Sequence, residues 1–207
     1  MLFRSVLGYT LISVGGATLA FSGGRYAVGE FRQAEARQQW DQAEARAAVA
    51  LARRSASIDG RSSVPIVNGA PVARLVIPRL HLDEIVVEGV NDDALNAGPG
   101  HLPGSAFPGE SGNAVISAHR DRHFARLGDI RLGDTVVTES GAVRGTWVVI
   151  SRRVIDAHAP ALFRTKDATL TLTTCWPIRY MGSAPERLLV SAKPVGQTGS
   201  FASVLTN

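Results

Sequence analysis

The chain has 207 residues, 45% of them hydrophobic, which is enough for one domain of ordinary size with its own core plus an appendage, and too little for two equal domains. Its formal charge of +4 comes from 22 basic residues against 18 acidic ones, and only Lys166 and Lys193 are lysines. Arginines gather in residues 25–61, as on a basic stalk beside anionic lipid rather than in a nucleic-acid groove, and the single cysteine excludes both a disulfide framework and a multi-cysteine metal site.

Residues 6–24, VLGYTLISVGGATLAFSGG, form an uncharged run long enough to cross a bilayer as a helix, flanked by Arg4 and Arg25. Thr18-Leu19-Ala20 is a poor cleavage site, so an uncleaved signal-anchor over residues 1–27 is favoured over a removed signal peptide. Residues 28–54, rich in Ala, Gln, Glu and Arg, read as one continuous helix. With Phe31 and Trp40 as its only large aromatics, its apolar face is too thin for a core helix. The expectation is a solvated stalk at the membrane, with a partner-binding helix as the alternative. Gly, Ser and Pro over residues 55–70 complete a stalk and linker spanning 28–70.

Past Pro71 the texture changes to short β-rich runs divided by turns. Strands are predicted over 72–77, 85–90, 114–118, 135–138, 146–151, 170–174 and 188–192, with one short helix over 91–97 and a turn-dense loop over 98–104. Seven or eight short strands with little helix between them predict a closed or nearly closed β-barrel over 71–196, followed by a tail over 197–207.

The pattern TLTLTTCWP is the most informative. Thr and Leu alternate from Thr169 to Thr173, as in a strand with one face on a core, and Pro177 ends the ladder just past Cys175. A lone buried Cys is ordinarily a small hydrophobe. Here a thiol at a strand end is matched by His119, in SAHRD at the end of another strand, and by Arg187, in ERLLVSA at the start of a third. Nucleophilic attack on an amide needs a thiolate source, a proton donor for the departing amine and positive charge aimed at the oxyanion. Cys175, His119 and Arg187 supply one each. The other histidines have plainer readings: His81 in a turn, His123 at the surface, His158 in a loop, and His101 in a turn-dense loop within reach of the site.

The runs GPGHLPGSAFPGESGN, ISAHRD, TLTTCWP and ERLLVSA, in that order, resemble the sortases, membrane-anchored cysteine transpeptidases, and are most similar to class D and Gram-negative members. The resemblance covers about residues 70–195. It implies an eight-stranded sortase barrel that cleaves an LPXTG-like sorting signal between Thr and Gly through a thioacyl enzyme. The acyl group then passes to an amine acceptor such as peptidoglycan or a pilin. It further implies Cys175 as nucleophile, His119 as acid and then base, Arg187 as holder of the substrate backbone or oxyanion, and Thr174 as an oxyanion or substrate contact. Trp176 is a candidate wall of the peptide groove, and the loops between Gly141 and Ala168 are candidates for the groove itself. The implied setting is a single-pass membrane protein with an extracytoplasmic catalytic domain.

No acidic calcium cluster is evident, since Asp156 and Asp167 are isolated, so neither metal nor cofactor is expected. The competing readings are a cell-wall cysteine peptidase or L,D-transpeptidase, whose motif order differs, and an idle membrane-tethered barrel that binds peptide.

Overall fold

The computed structural model describes residues 14–18, 21, 23–24, 27–43, 67–140, 143–159, 164–180 and 182–195. Among them, eight strands follow one another: β1 (Pro71–Ile77), β2 (Leu82–Glu88), β3 (Gly100–His101), β4 (Asn113–Ser117), β5 (Thr135–Ser140), β6 (Val143–Asp156), β7 (Thr169–Trp176) and β8 (Glu186–Pro194). They close into a barrel in the order β1-β2-β3-β4-β7-β8-β6-β5, with β5 returning to β1. Closure leaves no strand edge to pair with another chain, the reason short strands with little helix favour it.

Alternation along β7 sets its faces. Leu170 and Leu172 join Ala114, Ile116, Leu188, Val190 and Trp147 in the fully buried interior. Thr169, Thr171, Thr173 and Cys175 therefore lie on the outer face of the same strand. β7 runs parallel to β4 and antiparallel to β8.

β6 is longer than its hydrophobicity predicts. Arg152, Arg153 and Asp156 are exposed, yet they continue the ladder with β8 to its end. Of the loops expected between 141 and 168, on either side of the strand predicted over 146–151, residues 152–156 are strand instead, and 141–142 and 160–163 lie outside the described residues. β6 and β7 are both antiparallel to β8, which lies between them, so they are parallel to each other. The 157–168 connection must cross over the sheet to join them.

One helix, α1 (residues 27–43), departs from the expected solvated stalk. Its buried positions are Gly29, Gln33, Ala36 and Trp40, a stripe at helical spacing, while Phe31 stays 73% exposed. Ala36 and Trp40 pack with Ile85, Val87 and Ala94 in a second, smaller core outside the barrel. Gln33 behaves like a strand residue: its Oε1 accepts from Ile85 N (2.9 Å), and its Nε2 donates to Ile85 O (3.3 Å) and to Ala97 O (2.9 Å). That amide joins β2 to the end of a second helix, α2 (Asp92–Ala97), whose N-cap Asn91 accepts from Ala94 N. Arg37 adds an ion pair with Asp83 of β2. The run 6–24 lies largely outside the described residues. Among the described ones, no helix is long and apolar enough to cross a membrane.

Candidate active site

Parallel neighbours end together, and an antiparallel neighbour begins where they end. Cys175, near the end of β7, is the ladder partner of Arg187, near the start of β8. Ser117 at the end of β4 pairs with Thr173, and one residue on, Ala118 N still donates to Thr173 O (3.2 Å). His119 therefore leaves β4 beside Cys175. The structure brings the thiol, the imidazole and the guanidinium to one rim of the barrel, on three adjacent strands, all partly exposed.

The backbone before His119 is held from both sides. Thr174 Oγ1, buried, donates to Ala118 O (2.7 Å), while the carbonyl of His119 accepts from Arg122 N (3.3 Å) and Phe124 N (3.1 Å). Thr174 shares the inner face with Leu170 and Leu172, and its hydroxyl is occupied by this bond. Through that side chain Thr174 tethers the residue before His119.

Arg187 Nε donates to Ala157 O (3.0 Å), fixing the residue that follows β6 beside the thiol's ladder partner. Arg120, adjacent to His119, clamps the β7–β8 connection: its two Nη groups donate to Pro177 O (3.3 Å) and Gly182 O (2.6 Å), and its guanidinium lies 5.7 Å from the Tyr180 ring centroid. Reading the sequence gave Arg120 no role. Its position next to His119 in SAHRD was the available signal.

Trp176 follows Cys175 and so lies toward the opposite face of β7. It packs against the interior cluster, with the Arg152 guanidinium 5.2 Å from its ring centroid. Gly128 approaches so closely that an added Cβ would stand 3.2 Å from the indole. That placement packs part of the indole against the end of the barrel.

His101 is not at the site. It is 1% exposed on β3, stacked on Phe107 at 4.5 Å, with Nδ1 2.7 Å from Glu88 Oε2 and Nε2 3.0 Å from both Ala106 O and Ser105 Oγ. It fastens the 102–112 loop to the barrel. His123, expected at the surface, has a side chain only 5% exposed beside Glu84. Among the described residues, no three His, Cys, Asp or Glu side chains group as metal ligands.

A closed eight-stranded barrel in this strand order matches one known class of protein. The Sortase domain model matches residues 75–195, and the chain belongs to the sortase family. It is 32% identical over 123 residues to sortase D of Bacillus subtilis (strain 168), a match spanning 58% of this chain and 62% of that protein's length. The solved catalytic domain of B. anthracis SrtD superposes with a TM-score of 0.55 at 31% identity, over 68% of this chain and 97% of that one. The Clostridium perfringens sortase D5 transpeptidase has the same fold, with a TM-score of 0.63 at 22% identity, over 82% of this chain and 99% of that one.

Proposed function

We propose that this sortase is a cysteine transpeptidase that cleaves an LPXTG-like sorting signal between Thr and Gly and transfers the carried protein to an amine at the cell surface. The observation that carries the reading is the cross-strand pair of Cys175 with Arg187, flanked by His119 on the parallel strand. The Cys175 thiolate attacks the threonyl carbonyl carbon, and the oxyanion is met by Arg187, whose Nη donors make no other hydrogen bond among the described residues. The C–N bond breaks as His119 gives its proton to the departing glycine amine, leaving a thioester on Sγ. An incoming amine then attacks that thioester, His119 takes its proton, and the C–S bond breaks to return the thiolate.

The apolar run at 6–24 supports a single-pass membrane protein, and the likeness to sortases supports an extracytoplasmic barrel.

The test is the full chain in detergent, given a panel of fluorogenic LPXTG-like peptides and a glycine amine. Transpeptidation product is expected, lost in Cys175→Ala and after treatment with a small methanethiosulfonate. Hydrolysis of wall peptides without transfer would favour a cell-wall peptidase, and binding without turnover an idle barrel. A thiol that resists labelling in the folded protein would refute the reading.

A further inference from the structure

The segment that carries His119 out of β4 is held on two sides. Arg120 reaches toward the β7–β8 connection. Arg122 reaches the other way, and its Nη1 donates to Asn96 O (3.0 Å) and Asn96 Oδ1 (3.2 Å) in the last turn of α2. The backbone of the segment is one tight unit, because His119 O accepts from both Arg122 N and Phe124 N, and Phe124 is fully buried in the barrel core. A shift of Arg122 is therefore passed to the peptide unit of His119 within a single turn.

α1 closes over Arg122 from outside. A Cβ added at Gly29 would stand 2.6 Å from Arg122 Nη1, 2.8 Å from Cζ and 3.0 Å from Nη2, too close for either group to stay where it is. Gly29 is buried within the helix, where glycine is the poorest former after proline. The approach of the guanidinium gives that choice a physical reason. A second contact joins the same segment to the strand on which α1 is docked. His123, with its side chain 5% exposed, has Nδ1 3.5 Å from Glu84 Oε2. Glu84 follows Asp83, paired with Arg37 of α1, and precedes Ile85, bonded to Gln33 of α1. α1 thus borders the His119 segment directly at Arg122, and through β2 at His123.

Resting on the transpeptidase reading above, we propose that Arg122 is a positioning residue, seated between Gly29 of α1 and Asn96 of α2, and that α1 sets the geometry of His119 through it. The helix is then a component of the site and not only a link to the run that precedes it. Thr174 holds the imidazole from the residue before it, and Arg122 holds it from the residues after.

Gly29→Ala separates positioning from stability. Alanine is the better helix former, so the melting temperature of the full chain should hold or rise, while the added methyl displaces the guanidinium. The expected result is a roughly 3- to 10-fold lower kcat with KM within about 2-fold of wild type, and an unaltered rate of methanethiosulfonate labelling at Cys175. Arg122→Ala should lower kcat by roughly 10-fold. Adding Gly29→Ala to Arg122→Ala should change nothing further, since the methyl then has no guanidinium to displace, and that departure from additivity is the signature of the contact. Gly29→Ala should also speed hydrogen exchange at the Phe124 amide, a readout that needs no turnover. A Gly29→Ala kcat within about 2-fold of wild type, effects that multiply in the double variant, a loss of activity that follows a lowered melting temperature, or unchanged exchange at Phe124 would each overturn the inference and leave the transpeptidase reading intact. Absence of transpeptidation by the wild-type chain with every peptide would instead remove that reading, and the positioning role with it.

Discussion

Thr174→Val tests whether His119 is positioned from β7. The substitution is nearly isosteric at a site 2% exposed, so packing is retained and the loss is one hydrogen bond, from Oγ1 to Ala118 O at 2.7 Å. A buried acceptor deprived of its donor costs about 1–3 kcal/mol. A carbonyl has a second lone pair, so the lower half of that range applies, about 1–2 kcal/mol. For a barrel of this size, each kcal/mol corresponds to roughly 3–5 °C, which predicts a fall in melting temperature of about 3–10 °C. The catalytic effect should be larger than stability alone implies, because Ala118 immediately precedes His119, and a misplacement near 1 Å can reduce a rate by about 100-fold. The expectation is a fall in kcat of about 10- to 100-fold with little change in KM, measured by steady-state turnover of a sorting peptide. The rate at which methanethiosulfonate modifies Cys175 should be unaltered, since the β7–β8 ladder holds the thiol independently. Thr174→Ser should restore both stability and kcat. An unchanged melting temperature would mean that the bond contributes nothing. A lowered one with normal kcat would mean that His119 is oriented by something other than this tether.

Arg120→Met should free the 177–185 connection from its two carbonyl anchors, raising the rate of limited proteolysis there and lowering kcat/KM by roughly 10-fold, with a melting temperature within about 2 °C of wild type because the side chain is partly exposed. Gln33→Leu should detach α1 from β2, since Ile85 N and O and Ala97 O lose their partner at once. About 2–4 kcal/mol lower stability in urea, with faster amide exchange at Ile85, is the expected result. Asp83 is held below its ordinary carboxyl value of 3.8, first by the hydrogen bond from Arg74 and further by Arg37. Its folded-state value is depressed, so its contribution is present above the unfolded value and lost as pH falls through the folded one. Asp83→Asn should therefore lower the melting temperature by about 1–3 °C at pH 7, with the difference disappearing as pH falls through the depressed folded-state value and shrinking in 1 M salt, as befits a pair 42% exposed at the carboxylate.

The residues at the strand ends were legible because their signals are local. Alternation ends at Cys175, an apolar run delivers His119, and turn residues precede Arg187, so each could be placed at a terminus without knowing the fold. Pairing was not legible, since nothing in ERLLVSA announces that its arginine faces the cysteine across a ladder. The docked face of α1 escaped for a different reason. A stripe of Gly29, Gln33, Ala36 and Trp40 has little hydrophobic weight, and its attachment depends on an amide mimicking a strand and on a glycine that lets the Arg122 guanidinium lie against the helix. The end of β6 escaped because Arg152 and Arg153 are exposed while their backbones remain paired, which a polarity pattern reads as loop.

Thr173 and Thr174 expose what the sequence pattern leaves undetermined. They are the same residue type, adjacent and both buried, yet one hydroxyl closes a bond inside the barrel and the other has no partner outside it. The difference follows from the two-residue period of a strand, and the register of β7 against β4 and β8 decides which face is which. A slip of one residue would turn Cys175 toward the interior leucines and move Thr174 and Trp176 to the outer face. It would leave Arg187 facing an indole or a hydroxyl in place of the thiol. The Leu170 and Leu172 side chains, fixed in the barrel core, forbid that slip, so the burial that stabilises β7 is also what aims the sulfur at the groove.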